Sequence, residues 1–230
     1  MKASGLHSWQ VSIPEARDIQ MRLAAQVSRI NELDAPELIA GVDISVNKSE
    51  GMGEAAVVIL NYPELSLLET RYVKDKLDFP YIPGLLSFRE SPLILAACEK
   101  LTLTPDLILV DGQGLAHPRR FGLASHLGLL LDIPTIGCAK SRLCGSHEEP
   151  GAEPGSYAEL IDGGEVIGAA LRTRMGVNPV YVSIGHKVDL QTAIHWAMAC
   201  CRDYRLPEPT RFAHLAAGGN LSRQTQATQI

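Results

Sequence analysis

The sequence contains no run of roughly 20 apolar residues, the length that a membrane-spanning helix requires. Its first seven residues lack the apolar core of a signal peptide. The cysteines are odd in number and include no C-x-x-C pair, which argues against both a disulfide framework and a zinc site (Cys98, Cys138, Cys144, Cys200 and Cys201). These absences exclude a membrane protein and a disulfide-stabilised secreted domain, and they predict a cytoplasmic chain with reduced thiols.

The chain also lacks an excess of positive charge. It has 21 lysines and arginines against 26 aspartates and glutamates, a formal net charge of -5. This balance disfavours nucleic-acid binding by bulk electrostatics but leaves room for local basic surfaces. Basic residues cluster at four places in the sequence (Arg119 and Arg120; Lys140 and Arg142; Arg172 and Arg174; Arg202, Arg205 and Arg211). Scattered charged residues on a solvated surface would explain this distribution equally well.

The length and composition fit one large domain, because 230 residues with 46% hydrophobic content can bury a sizeable core. We expect this domain to span residues 1–215. Residues 216–230 have little to bury and are expected to form a flexible C-terminal tail. The chain is expected to be a monomer.

The order of the elements predicts an α/β fold. A capping box at Ser12 and Glu15 begins an amphipathic helix that continues to about residue 30. Strands at 39–47, 54–60 and 67–76 follow with short turns, as in an antiparallel meander. Helices near 88–101, 122–131 and 189–202 then alternate with strands near 107–110, 135–138, 165–172 and 180–184. This pattern is typical of a mixed sheet covered on both faces.

Two carboxylates interrupt apolar strands. Asp43 lies within the run 39–46, and Asp111 closes the run 107–110 directly before Gly112. A carboxylate in a sheet interior must be neutralised, paired or bound to a metal. Together they suggest one or two hard divalent ions held between strands, as in phosphoryl-transfer sites. The alternatives are a structural role at a bulge for Asp43 and an Asp-Gly turn for Asp111.

Three further polar residues allow both a functional and a structural interpretation. Glu90 could be catalytic, or it could complete a capping box with Ser87 at a helix start. His214 stands in an apolar context that suits a buried core histidine. Lys140 follows a predicted strand and could simply be a surface lysine.

A stiff loop precedes Glu90. Pro80 and Pro83 fix the backbone on either side of Tyr81 and Ile82, so the two apolar side chains form a projection that cannot easily retreat. Such a rigid projection suits insertion into a base stack. A proline-bounded turn packed on the core is the structural alternative.

These motifs occur together in a defined order (Asp43 in a strand; Pro80-Tyr81-Ile82-Pro83-Gly84 leading into Ser87-Phe88-Arg89-Glu90; Val110-Asp111-Gly112; His117-Pro118-Arg119-Arg120; Pro134-Thr135-Ile136-Gly137 with Lys140). In this order and spacing they resemble endonuclease V, the deoxyinosine-specific repair nuclease, from about residue 43 to 210. The resemblance implies a ribonuclease H-like fold.

The resemblance also implies roles for particular residues. Asp43, Glu90 and Asp111 would bind Mg²⁺, for which Mn²⁺ would substitute, and His214 would lie near them as a further catalytic residue. Lys140 would approach the reacting phosphate. Residues 80–83 (Pro80, Tyr81, Ile82 and Pro83) would form a wedge that parts the strands at the lesion.

The implied reaction is hydrolysis of the second phosphodiester bond 3′ to a deaminated base, which leaves 3′-hydroxyl and 5′-phosphate ends. The base must be held outside the stack, and glycines suit such a pocket because backbone groups can approach the base edge. Gly84, Gly112 and Gly122 are the candidates. His117, Arg119 and Arg120 are candidate phosphate contacts.

Other functions share part of this pattern. The same site could act on inosine-containing RNA or on branched DNA. A non-catalytic module could use the stiff tyrosine loop to recognise distorted duplexes. A small-molecule phosphatase could use the same metal ligands, but this function would not explain the wedge.

Overall fold

The computed structural model describes residues 1–47 and 49–221, and one mixed sheet of eight strands organises them. The strands are β1 (Leu38–Asn47), β2 (Met52–Asn61), β3 (Leu67–Lys76), β4 (Leu107–Val110), β5 (Thr135–Ala139), β6 (Tyr157–Asp162), β7 (Glu165–Leu171) and β8 (Val180–His186). Their order across the sheet is β3-β2-β1-β4-β5-β8-β7-β6.

Strand direction changes across the sheet in the way that the connections require. The short turns between β1, β2 and β3 give the predicted antiparallel meander. β1, β4 and β5 run parallel to one another, and a helical segment directly precedes both β4 and β5 in the chain. The carboxyl ends of these three neighbouring strands therefore meet at one edge, where ligand sites of open α/β sheets usually form.

Within the described part of the chain, five helices accompany the sheet: α1 (Ile13–Ala24), α2 (Leu86–Cys98), α3 (Leu123–Leu131), α4 (Leu190–Ala199) and α5 (Glu208–Ala217). The predicted capping box is present, since the Ser12 side chain accepts from the Glu15 backbone N–H and Glu15 bonds back to Ser12. α1 nevertheless ends at Ala24, earlier than the apolar spacing indicated.

Both faces of the sheet are covered, as predicted. Along β4, Leu107 and Leu109 pack into a core beneath α4 and α5, whereas Ile108 and Val110 pack into a second core beneath α2 and α3. This alternation follows from the two-residue period of a strand. The fold is ribonuclease H-like, as the resemblance implied.

Two elements were not predicted. β6 is an edge strand, and α5 follows Pro207 and buries Ala213, Ala216 and Ala217. The helix thus extends two residues into the segment expected to be a tail, and residues 222–230 of that segment lie outside the described residues. Among the residues that the structure describes, no helix is long and apolar enough to cross a membrane.

α5 packs directly over β1 at a glycine. A Cβ on Gly41 would lie 1.9 Å from the carbonyl oxygen of Pro209, so only glycine permits this approach. Asp43 lies two residues after Gly41 and therefore on the same face of the strand. The close packing brings His214 of α5 to Asp43.

Candidate metal centre and adjoining cavity

Two carboxylates and an imidazole converge at the carboxyl edge of the parallel strands. Asp43 lies on β1, Asp111 directly follows β4, and His214 lies on α5. One ligand atom from each lies within 4.8 Å of the other two. His214 Nδ1 is 2.7 Å from Asp43 Oδ2, and Asp43 Oδ1 accepts a hydrogen bond from the Ile44 backbone N–H at 2.8 Å. His214 is exposed, so its interpretation as a core histidine was wrong.

Lys140 completes this cluster from the end of β5. Its Nζ lies 2.5 Å from Asp111 Oδ2 and 3.4 Å from His214 Nδ1. Burial and the charge of Asp43 raise the pKa of Asp111, whereas the bond from Lys140 opposes that rise. The positive charge of Lys140 thus favours the ionised form of the Asp111 carboxylate, which burial would otherwise favour in its neutral form.

Glu90 is buried on α2 beside the cluster. Burial raises its pKa to about 8, and the nearby charges of Asp43 and Asp111 add to the shift. Its carboxylate is not one of the three groups within 4.8 Å of one another. The capping interpretation was wrong, because α2 begins at Leu86 and its N-cap, Leu85, makes no side-chain hydrogen bond.

The raised pKa of Glu90 predicts a pH dependence of stability in the metal-free protein. Between its ordinary value of 4.5 and about 8, the folded state holds a proton that the unfolded state has released. The free energy of unfolding should therefore fall as pH rises through this window. Glu90→Gln cannot ionise, so it should be more stable than the parent at pH 9 by on the order of a few kcal/mol.

Urea unfolding in chelator at pH 5 and pH 9 would check this prediction. Glu99→Gln, at an exposed position just after α2, is the matched control and should follow the parent at both values. An equal difference between Glu90→Gln and the parent at pH 5 and pH 9 would contradict it.

The donor atoms of the cluster fit a divalent cation. Carboxylate oxygens are the ligands that Mg²⁺ and Mn²⁺ prefer, and Asp43 and Asp111 offer them at one point. An imidazole nitrogen is more usual with other transition metals, so His214 is the member of the cluster that suits Mg²⁺ least.

A cavity of about 360 Å³ adjoins the cluster and shares Asp111 and Lys140 with it. The three glycines predicted for a base pocket, Gly84, Gly112 and Gly122, all line it. Gly122 has no room for a side chain, since a Cβ would lie 2.2 Å from the Gln113 carbonyl oxygen. Gly84 has a φ of +78°, a conformation that favours glycine.

The proline-bounded loop forms one wall of this cavity. Tyr81 projects from the surface with 71% of its area exposed, whereas Ile82 packs against a small core that contains Phe79 and Phe88. The Arg89 guanidinium donates to the Phe79 carbonyl oxygen at 2.6 Å and so ties the loop to α2. Tyr81 is therefore the residue that projects, and the loop that carries it is held in place.

The three predicted phosphate-contact residues make internal bonds. Nε2 of buried His117 donates to the Gly84 carbonyl oxygen at 3.0 Å, while its Nδ1 accepts from the Arg119 backbone N–H at 3.1 Å. Arg119 Nη2 donates to the same Gly84 oxygen at 2.6 Å. Arg120 pairs with Asp162 and Glu165. Burial and the Arg119 charge lower the pKa of His117 to about 4, so its ring is neutral.

Three residues contribute to this region whose role was not predicted from the sequence. Gln113 Nε2 donates to the Ser141 carbonyl oxygen at 2.8 Å, and Arg205 Nη2 donates to that of Lys140 at 2.6 Å, so both brace the lysine segment. Gln20 is buried on α1 and lines the cavity. Gln20 gave a signal as a polar residue in the apolar stripe of a helix, and Arg205 gave one only as a member of a group of basic residues.

Comparisons with known proteins identify the family. The family model described as Endonuclease V matches residues 21–215. The chain is 52% identical over 217 residues to the endonuclease V of Dehalococcoides mccartyi, with coverage of 94% of this chain and 97% of the relative.

Solved structures agree with this match. The crystal structure of endonuclease V from Streptomyces avermitilis has a TM-score of 0.88 at 43% identity and covers 95% of this chain and 96% of its own. Ciona intestinalis endonuclease V, crystallised with a 23mer DNA containing an inosine followed by a ribo-adenosine, has a TM-score of 0.79 at 31% identity, covering 91% and 96%.

The fold and site define a nuclease of the ribonuclease H-like class. The chain belongs to the endonuclease V family. It is accordingly an endonuclease, and the family is metal-dependent.

Proposed function

We propose that the protein is a DNA repair endonuclease that recognises deoxyinosine and hydrolyses the second phosphodiester bond 3′ to it. The observation that carries this proposal is the cavity that shares Asp111 and Lys140 with the carboxylate cluster. A site for an extruded base thus lies beside a site for a reacting phosphate. Their separate but adjoining positions support a cut close to the lesion that leaves the lesion in the strand.

The substrate class is supported by a relative and by the shape of the site. The Ciona intestinalis protein binds inosine-containing DNA in its crystal. A purine must leave the stack to enter a cavity, at a cost that is smallest for a weakly paired base. Gly84, Gly112 and Gly122 would let backbone groups approach the base edge. Tyr81, with Pro80, Ile82 and Pro83, would part the strands and occupy the gap.

The chain supplies the groups that phosphodiester hydrolysis needs. Asp43, Glu90 and Asp111 would hold Mg²⁺, with Mn²⁺ as a substitute. A bound divalent ion supplies charge neutralisation and activation of water. The Lys140 ammonium would stabilise the charge that develops on the phosphate. His214, bonded to Asp43, would orient that carboxylate. The products would carry 3′-hydroxyl and 5′-phosphate ends.

We propose that His117, Arg119 and Arg120 contact the DNA backbone, because His117 and Arg119 bond the cavity wall at the Gly84 carbonyl oxygen. Five unpaired cysteines agree with action in the cytoplasm. We propose that the protein acts as a monomer.

The proposal is tested with matched oligonucleotides. DNA duplexes and RNA strands that each carry one inosine, beside undamaged controls, would be incubated with the enzyme and Mg²⁺. We expect nicking of inosine-containing DNA and much slower cutting of undamaged DNA. Preferred cutting of inosine-containing RNA would indicate an RNA nuclease. Equal cutting of all duplexes would contradict the assignment of the cavity as a pocket for the lesion. Binding with no cutting in Mg²⁺ or Mn²⁺ would indicate a non-catalytic module.

Tyr81→Ala should weaken lesion discrimination. Loss of one aromatic contact with a base lowers affinity by about 1–3 kcal/mol, so the ratio of inosine to undamaged nicking should fall roughly tenfold. The control is Tyr157→Ala on β6, also exposed at 41% but not among the residues that line the cavity. A parent-like selectivity in Tyr81→Ala would contradict the wedge assignment.

A further inference from the structure

Gln20 is a polar side chain in the buried stripe of α1, with 1% of its surface exposed. Its Nε2 donates to two backbone carbonyl oxygens, those of Gly84 and Phe121, both at 3.0 Å. Its Oε1 accepts from Arg119 Nε at 2.6 Å. A buried amide satisfied on both its nitrogen and its oxygen is held in one orientation.

The two carbonyl groups belong to chain segments that form different walls of the cavity, to which Gly84 and Gly122 contribute. Gly84 directly follows the wedge residues 80–83, and Phe121 directly precedes Gly122, the N-cap of α3. These segments are far apart in the chain and belong to different elements. A single nitrogen bonded to both fixes the distance between the two walls.

The Gly84 carbonyl is held more firmly than one bond would achieve. It accepts from Gln20 Nε2, from His117 Nε2 at 3.0 Å and from Arg119 Nη2 at 2.6 Å. Arg119 in turn bonds the Gln20 oxygen, so the donors form one connected network. Gly84 adopts a positive φ, and the network holds its peptide in that orientation.

We propose that Gln20 is a positioning residue that sets the width of the base pocket and thereby its selectivity for hypoxanthine over guanine. The inference rests on the proposed function, because it takes the cavity as the site of the extruded base. Guanine carries an amino group where hypoxanthine has hydrogen. If the cavity wall at Gly84 could move, the pocket would admit the larger base. With the Gly84 carbonyl oxygen held by three hydrogen-bond donors, the wall stays in place and the larger base is excluded.

The variant that tests this proposal is Gln20→Met, which has similar length and no hydrogen-bonding amide. Ala16 and Leu23 still anchor α1, so the helix should remain docked. The matched control is Gln26→Met, an exposed position just beyond the helix. The readout is kcat and KM on duplexes with deoxyinosine or deoxyguanosine at the same mismatched position.

We expect the ratio of kcat/KM for inosine over guanine to fall about tenfold or more in Gln20→Met, the effect of losing hydrogen bonds that fix a binding site. The fall should arise mainly from a lower KM for the guanine duplex, because a wall that can move admits the larger base, with kcat nearly unchanged. Gln26→Met should keep the parent ratio. A purely structural role would lower the melting temperature and leave this ratio as it is, which would overturn the proposal.

A second variant covers the case in which Gln20→Met does not fold. Arg119→Lys keeps the charge at a half-buried position but has no Nε–H to hold the Gln20 oxygen. It should lower the same ratio in the same direction, and an unchanged ratio in the folded variant would overturn the proposal. A parent enzyme without preference for inosine would instead overturn the proposed function, so the two failures are distinguishable.

Discussion

Replacing Asp43 by alanine should abolish nicking of an inosine duplex while binding of the lesion survives. Asp43 is one of two carboxylates whose oxygens converge with His214 Nδ1, so its removal dismantles the candidate metal centre. The base pocket does not include Asp43 among its lining residues and should stay intact. Asp111→Ala should abolish cutting for the same reason. We expect losses of roughly 10³-fold or more, beyond those seen when one transition-state contact is removed.

Single-turnover nicking and equilibrium binding of the same duplex would measure both quantities. Asp34→Ala, an exposed aspartate before β1, is the matched control and should cut like the parent. Parent-like nicking by Asp43→Ala would contradict the assignment of the centre. Loss of binding and nicking together in a folded Asp43→Ala would mean that the cluster holds the DNA rather than acting on it.

Lys140→Gln should lower kcat about 100-fold with a smaller change in KM. An ammonium beside the reacting phosphate acts where charge develops, and loss of one such contact costs roughly 10²–10³ in kcat. Lys140 is placed for this by Asp111 on its Nζ and by Arg205 on its carbonyl oxygen.

Kinetics on the inosine duplex would separate a catalytic lysine from one that only binds DNA. Lys74→Gln, an exposed lysine on β3, is the control. A raised KM with parent-like kcat in Lys140→Gln would show that the lysine attracts the strand without acting on the reaction.

The features that could be predicted from the sequence are those with a local cause. Ser12 and Glu15 cap α1 through side chains three residues apart, and the short turns between β1, β2 and β3 allow only antiparallel pairing. Asp43 and Asp111 stood out because each interrupts an apolar strand, and the structure places them together.

The features that could not be predicted depend on contacts between distant segments. The bond between His214 and Asp43 joins residues 171 positions apart and depends on α5 packing at Gly41. β6 escaped prediction because it is an edge strand whose side chains, such as Tyr157 and Ile161, remain exposed. The sequence shows a glutamine, Gln20, among the apolar positions of α1. It does not show the two carbonyl groups that this glutamine bonds, because they belong to distant segments.

The most direct test of this account is metal add-back on the metal-free enzyme, with the cut mapped to the nucleotide. Mg²⁺ would cancel the carboxylate charge and make the site attractive to DNA, so chelator should remove cutting and weaken productive binding. Mg²⁺ should then restore a single cut at the second phosphodiester bond 3′ to deoxyinosine. Equal cleavage in excess chelator, or cuts unrelated to the position of the inosine, would contradict the account.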